Sequence, residues 1–160
     1  MSSVNPLLSA LWKIPGPIAA LTISNGDERN GLIVSWFTPV SAEPPRLVVA
    51  IRKNRYSVKL IDDAGAFVVN LLRNDQTDLV PLFKLKGDER DKKFTGINVV
   101  DNNSGQPVLS DCAASLHCTI IERIDAGDHW LYLAEVKQVD GNGQDPMTTL
   151  SLGKTYSGVA

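Results

Sequence analysis

The sequence contains little of what several enzyme classes require. It has two histidines and two cysteines among 160 residues, which disfavours catalysis by a histidine-rich metal centre. No Gly-x-Gly-x-x-Gly run follows a predicted strand, so a Rossmann-type dinucleotide site has no support. Neither a serine nucleophile elbow nor a His-Glu-x-x-His run occurs. The chain therefore lacks the signatures of the common hydrolases and dehydrogenases.

An excess of charge of one sign and long apolar runs are also absent. Lysine and arginine number 16 against 18 aspartate and glutamate, a formal net charge of -2, so the chain has no general attraction for nucleic acid or anionic membranes. Its apolar runs fall well short of the roughly 20 residues of a membrane helix. The N-terminal stretch lacks a basic leader and is interrupted by Pro15 and Pro17, unlike a signal peptide. We expect a soluble cytoplasmic protein with neither a nucleic-acid nor a membrane partner.

What is present is the composition of an ordinary globular protein. With 43% hydrophobic and 21% charged residues, a chain of this length can bury a core, and we expect one domain over residues 1–160. Strand geometry in "CAASLHCTII" would hold Cys112 and Cys118 about 20 Å apart, too far for a disulfide. It would also point His117 to the opposite face. We expect two small buried thiols there and no metal site.

Four early segments predict β-strands from their β-branched and apolar content. "GDERNG", between the first two, is bounded by Gly26 and Gly31, which favours a hairpin and antiparallel pairing. A later strand from Pro107 onward turns at "DAGD" (125–128) and continues through 129–140, a second long hairpin. The early strands are residues 18–25, 31–38, 46–52 and 66–72.

Two helices are predicted among these strands. The first covers 54–65, with Asn54 as its N-cap and Gly65 at its C-terminal end. The second is a short helix within 73–87, where Pro81 is tolerated near the first turn. Because strands occur in runs and outnumber helices, the predicted fold is mainly β, an antiparallel barrel or sandwich with a few peripheral helices.

A cluster of cations precedes the first predicted helix. Arg52, Lys53, Arg55 and Lys59 fall within eight residues that contain no acid, and cations at a helix N-terminus oppose the helix dipole. A bound phosphate would reverse this effect, because it can accept hydrogen bonds from the first-turn N–H groups and the Ser57 hydroxyl. The alternative is a solvated basic helix face.

Hydroxyl and aromatic residues alternate at the end of the second predicted strand. In "VSWFTPVSAEPPRLVV", Ser35, Thr38 and Ser41 are interleaved with Trp36 and Phe37. Such a segment suits a flat heteroaromatic ligand with polar edges. The alternative is a strand followed by a turn rich in serine and proline.

The late hairpin raises a question about "GDHW" (127–130). A Gly-Asp pair suits a tight turn, and His129 directly follows it. His129 is therefore either a residue with a chemical role at a loop tip or the first residue of a hairpin arm.

Together, "GLIVSWFTPVSAEPPRLVVAIRKNRYSVKLI", "AFVVNLL" and "GDHW" resemble, in order and spacing, the flavin reductase-like family of FMN-binding split barrels, including flavoredoxin-type proteins. The resemblance covers about residues 15 to 140. It implies a homodimeric split β-barrel that binds FMN without a covalent bond near the subunit interface.

The resemblance also implies roles for individual residues. His129 matches a histidine close to the pyridine nucleotide, and Trp36 is large where many members carry a small residue. The residues that would line the isoalloxazine are Ser35, Trp36, Phe37 and Thr38, with Ser41 near the ribityl chain. The phosphate would be held by Arg52, Asn54 and Ser57, with Lys53 or Arg55 nearby, and Lys92 and Lys93 would contact phosphate or nucleotide from a mobile segment.

The resemblance leaves three possible functions. The first is an NAD(P)H-dependent flavin reductase, in which hydride passes from the nucleotide to N5 of FMN and reduced flavin or electrons pass to free flavin or an acceptor protein. The second is a flavoredoxin-like carrier that is reduced by a partner protein. The third is a non-catalytic FMN-binding module.

Overall fold

Nine β-strands and four short α-helices occupy the part of the chain that the computed structural model describes, residues 5–141 and 143–153. The strands are β1 Ala19–Ser24, β2 Arg29–Val34, β3 Phe37–Ala42, β4 Pro45–Arg52, β5 Ala66–Leu71, β6 Val99–Asp101, β7 Pro107–Leu109, β8 Ala114–Asp125 and β9 His129–Gly141. The helices are α1 Pro6–Leu11, α2 Ser57–Ala64, α3 Leu79–Phe83 and α4 Thr149–Leu152, and a 3₁₀-helix spans Gly87–Phe94.

The strand order shows that the large sheet closes on itself. Seven strands pair in the order β2-β1-β5-β8-β9-β4-β3, and each pair is antiparallel. β2 and β3 are the two edges, yet only Ser35 and Trp36 separate them in the chain. Three Cα–Cα steps reach about 11 Å, whereas seven flat strands would span about 29 Å. The two edges must therefore lie near each other, which makes the sheet a split barrel.

The core lies on both faces of β1. Leu21 and Ile23 point into the barrel with residues of β4, β5, β9 and α2. Ile18 and Ala20 point outward, where α3 and the 3₁₀-helix cover them. Two covered faces explain why β1 and β5 are almost continuously buried, instead of alternating between buried and exposed residues.

The mainly antiparallel fold and both hairpins are confirmed, but three predicted boundaries were wrong. The predicted strand 31–38 is broken at Ser35–Trp36, because its first half pairs with β1 and its second half with β4. The segment after Pro107 forms two strands rather than one. Asn54 does not cap α2, which begins at Ser57 after a turn. Gly65 does end α2, with a left-handed φ of 66°.

Three further features bear on the predictions. The predicted helix within 73–87 is limited to Leu79–Phe83. Cys112 and Cys118 are both buried free thiols. Among the described residues, no helix is long and apolar enough to cross a membrane.

Candidate functional site

A cavity of about 400 Å³ lies between β2, the start of α2 and the segment that follows α3. Six cationic side chains line it, and none of its described lining residues is acidic. The cations are Arg52, Arg55, Lys84, Lys86, Arg90 and Lys93. The chain as a whole has a net charge of -2, so a lining whose charged groups are all positive marks a site for an anion.

Three elements supply the polar groups of this cavity. The turn between β4 and α2 contributes Arg52, Asn54 and Arg55, and Ser57 is the first residue of α2. The positive end of the α2 dipole adds to the attraction for an anion. The sequence folds this way because the buried alternate residues of β4 run up to Ile51, and the chain then turns to begin an amphipathic helix that buries Leu60 and Ile61.

The cations lower one another's proton affinity. Burial first, and then the charges of Arg90 and Arg55, together lower the pKa of Lys93 to about 8. Burial and then Arg55 also lower the pKa of Lys84. An anion bound among these groups would offset both effects, because it stabilises their charged forms.

A buried hydrogen-bonded chain connects Lys93 to Ser57. Lys93 Nζ donates to Asn30 Oδ1 at 3.0 Å and to the Gly31 carbonyl at 2.7 Å. Asn30 Nδ2 in turn donates to Ser57 Oγ at 3.3 Å. All three side chains are buried, with Asn30 2% exposed. They form the inner wall of the cavity.

A smaller cleft of about 50 Å³ adjoins the cavity, and the two share Leu32, Ile33, Arg52 and Arg55. His129 and Trp36 line its outer side. The two spaces are therefore neighbours, and the cleft lies on the side of the cavity toward His129.

Asp128 holds His129 and Arg52 at this cleft. His129 Nδ1 lies 2.6 Å from Asp128 Oδ1, and Arg52 Nη1 lies 3.5 Å from Asp128 Oδ2. The pKa of Asp128 lies below its ordinary value, first because the His129 imidazole donates a hydrogen bond to it, with a further contribution from the charge of Arg52. An ionised carboxylate can only accept a hydrogen bond, so Nδ1 of His129 is the donor in this pair and Nε2 is left for another partner.

The structure brings together most of the residues that the sequence marked. Five line the cavity: Arg52, Asn54, Arg55, Ser57 and Lys93. Three line the cleft: Ser35, Trp36 and His129. The described linings of these two spaces do not include Phe37, Thr38, Ser41, Lys53 or Lys92.

The remaining five have other surroundings. Phe37 packs against the barrel core, and Thr38 and Ser41 lie on edge strand β3. Lys53 Nζ is 2.6 Å from Asp125 Oδ1 and lies over the Trp130 ring at 4.4 Å. Lys92 is exposed and lies 4.0 Å from Glu89. Their predicted contacts with flavin or nucleotide remain predictions.

Sequence reasoning missed several lining residues. Asn30 belongs to "GDERNG", a segment that turn chemistry explains without a site. Lys84 and Lys86 fall at the end of the helix predicted within 73–87, but the structure limits that helix to Leu79–Phe83, and Arg90 lies beyond the predicted helix, where no pattern assigned it a direction. Arg90 lies over the Tyr56 ring at 3.6 Å, and the Tyr56 hydroxyl donates to Glu28 at 2.6 Å. This contact between distant parts of the chain forms the rim of the cavity.

The donor set suits a phosphate monoester and does not suit a metal ion. Guanidinium, ammonium, hydroxyl and backbone N–H groups all donate hydrogen bonds to phosphate oxygens. Within residues 5–141 and 143–153, no group of three or more His, Cys, Asp or Glu side chains could hold a metal ion.

The chain is similar to known proteins along most of its length. The family described as "Flavin reductase like domain" matches residues 11–158. The chain is 36% identical over 134 residues to the actinorhodin polyketide dimerase of Streptomyces coelicolor. This matched region covers 83% of this chain and 74% of that protein.

Two other similarities are informative. The chain is 28% identical over 134 residues to diflavin flavoprotein A 1 of Synechocystis sp., but it covers only 23% of that protein, so it spans about a quarter of this relative's length. The solved structure of the NADH:FAD oxidoreductase of Streptomyces globisporus C-1027 matches with a TM-score of 0.83, 23% identity and 92% of each chain covered. At that identity the likeness shows a shared fold.

Proposed function

The chain belongs to the flavin reductase-like family and is a flavin-dependent oxidoreductase, and from this premise we propose that it binds FMN without a covalent bond and reduces it with NADH or NADPH. One observation supports FMN in particular: the cavity of about 400 Å³ is lined by six cations and no acid among its described residues. A phosphate monoester near pH 7 carries about two negative charges, which such a lining neutralises.

The four residues that line both spaces suggest how FMN lies. Its phosphate would occupy the cavity, where Arg52 and Arg55 donate charge-assisted hydrogen bonds and Ser57 donates from the start of α2. Its ring system would extend past Leu32 and Ile33 toward the cleft. These two apolar side chains exclude water from one side of the ring.

The residues at the cleft would position the nucleotide. A bound FMN supplies the ring that accepts hydride. His129, held by Asp128 and Trp36, would hydrogen-bond the nicotinamide nucleotide and hold it near the flavin. Positioning of this kind brings the reacting atoms to about 3 to 3.5 Å. His129 therefore orients a substrate and need not transfer a proton.

Anaerobic mixing tests this function. The purified protein is loaded with FMN and mixed first with NADH and then with NADPH, and flavin absorbance is followed. We expect bleaching with at least one nucleotide. Tight FMN binding without bleaching by either one would contradict the reductase and favour an electron carrier. Loading with FAD in parallel shows which flavin is preferred.

The proposed assembly is a cytoplasmic homodimer that delivers reduced flavin or electrons to free flavin or an acceptor protein. Its support is an apolar face on the outside of the barrel. Val48 pairs with Leu133, and Ala50 pairs with Leu131, which in turn pairs with Ile124. These residues alternate with the buried inward residues of the same strands, and Ile124 is 38% exposed.

Sedimentation analysis tests the dimer. Leu133→Glu places a charge in the centre of this face and should convert the dimer to monomers. Val139→Glu changes an exposed aliphatic residue of the same strand, 57% exposed, and should leave the dimer intact. A monomeric wild-type protein, or equal effects of the two substitutions, would contradict an interface on this face.

A further inference from the structure

Asn30 holds the polar wall of the cavity in one arrangement. Its side-chain oxygen accepts two hydrogen bonds, from Lys93 Nζ at 3.0 Å and from the Gly31 backbone N–H at 2.8 Å. A flipped amide would turn its NH₂ group toward both donors. The buried amide therefore has one allowed orientation.

That orientation points the Asn30 NH₂ group at Ser57. Asn30 Nδ2 donates to Ser57 Oγ at 3.3 Å, so the serine oxygen is used there as an acceptor. A hydroxyl group has one proton to donate. Within the described residues, the hydrogen bonds of the Ser57 side chain include no acceptor for that proton.

The remaining direction for the proton is the cavity. Ser57 is 3% exposed and lines the cavity, and the charged groups around it are all cationic donors. An acceptor for its proton therefore comes from what fills the cavity, water or a ligand, and an anion is the ligand that these donors favour.

We propose that Asn30 is a positioning residue, which directs the Ser57 hydroxyl proton toward the phosphate of the bound flavin. Lys93 acts in two ways: it contributes charge, and it fixes the amide of Asn30. The inference rests on the proposed function, because it assumes that a flavin phosphate occupies the cavity.

The test compares FMN with riboflavin, which has the same ring and ribityl chain and lacks the phosphate. The ratio of the riboflavin Kd to the FMN Kd, measured by titration calorimetry, reports the phosphate contribution alone. Asn30→Ala and Ser57→Ala should each lower this ratio about ten- to a hundredfold, the loss of one charge-assisted hydrogen bond, with the riboflavin Kd unchanged. The double variant should lower it no further than Ser57→Ala does.

A second variant protects the test against misfolding. Asn30→Asp is isosteric and still accepts from Lys93 and the Gly31 N–H, but it presents an acceptor to Ser57. The hydroxyl should then donate to the carboxylate, and the ratio should fall at least tenfold. Thr22→Val serves as the control: it removes a buried hydrogen bond to the Pro107 carbonyl away from the cavity, and should lower stability without changing the ratio.

The outcomes separate the two proposals. A wild-type ratio near one would contradict the phosphate site and this inference with it. A large wild-type ratio that persists in Asn30→Ala and Asn30→Asp, or losses that multiply in the double variant, would overturn the role of Asn30 and leave the proposed function standing.

Discussion

The imidazole ring of His129 lies against the indole ring of Trp36, with centroids 5.1 Å apart and planes tilted by 35°. The barrel brings these distant residues together: Ala50 N donates to the Trp36 carbonyl at 2.9 Å, and Arg52 of the same strand pairs with His129. The His129 side chain is only 14% exposed. It is therefore a packed residue of the cleft, although it also begins a hairpin arm.

His129→Ala should raise the KM for the nicotinamide nucleotide about tenfold and leave the FMN Kd within twofold. The reason is that His129 faces the cleft and is absent from the lining of the cationic cavity; a hydrogen bond to a charged ligand contributes about 1.5–3 kcal/mol. Steady-state kinetics and flavin titration measure the two quantities. Asp128→Asn, which keeps the size of the side chain, should give a smaller increase in KM. Loss of FMN affinity in His129→Ala would instead place this residue at the flavin.

Lys86→Ala should weaken FMN binding by three- to tenfold, whereas Lys92→Ala should leave it within twofold. Both residues lie in the segment after α3, but Lys86 lines the cavity and Lys92 lies outside that lining, 4.0 Å from Glu89 and 67% exposed. Exposed pairs of this kind contribute at most about 1 kcal/mol. FMN titration at low salt measures both variants. Equal losses would mean that the general charge of the segment, and not its position, attracts the phosphate.

These two lysines illustrate what the sequence could and could not predict. Local signals were reliable: turn chemistry predicted both hairpins, and Gly65 predicted the end of α2. The cationic cluster beside Ser57 was visible because its residues are close in the chain. The segment after α3 lines the cavity because of tertiary packing, and tertiary packing leaves no periodic pattern in the sequence.

Contacts across the barrel were beyond sequence reasoning for the same reason. The break at Ser35–Trp36 depends on which strands pair at the two edges, and an apolar run on both sides gives no sign of it. Lys93 can be buried because the Gly31 carbonyl and the Asn30 side chain accept hydrogen bonds from its ammonium group. These two residues lie more than 60 residues earlier in the chain. Cations are normally exposed, so composition alone argued against this placement.

FMN affinity should fall as pH rises above about 8. The pKa of Lys93 is lowered to about 8 by burial and by Arg90 and Arg55, so the free protein loses this charge above that pH. Bound phosphate raises the pKa again, and binding then takes up a proton. The FMN Kd should rise about tenfold between pH 8 and 9.5, at most tenfold per pH unit. Lys93→Met should remove this dependence, and riboflavin should not show it.

The same group gives stability the opposite dependence on pH. Lys93 has a lowered pKa in the folded state, so between about 8 and the ordinary lysine value the unfolded chain binds more protons than the folded chain. The free energy of unfolding should therefore rise with pH across this window, by about 3 kcal/mol from Lys93 alone. Urea unfolding of the wild type and Lys93→Met, compared at pH 7.5 and 10, measures it. No difference between the two proteins would contradict a buried Lys93.

Gly31→Ala should destabilise the protein and weaken FMN binding together. A Cβ atom at Gly31 would lie 2.6 Å from two ring atoms of Phe83 and 3.3 Å from the Leu21 carbonyl. Phe83 is 1% exposed and packs edge-on against Phe94, with centroids 5.7 Å apart, so its ring has no free space to move into. Overpacking of this kind costs about 1–3 kcal/mol.

The displaced ring would move the end of α3, and Lys84 and Lys86 follow it directly in the chain. The predicted result is therefore a lower Tm, by about 2–4 °C per kcal/mol, together with a lower ratio of riboflavin to FMN Kd. Phe83→Leu alone should also destabilise, but combined with Gly31→Ala it makes room for the new methyl group. The double variant should be more stable than the sum of the two single losses predicts. Additive losses would show that Gly31 and Phe83 act independently, and that the contact does not couple barrel packing to the cationic cavity.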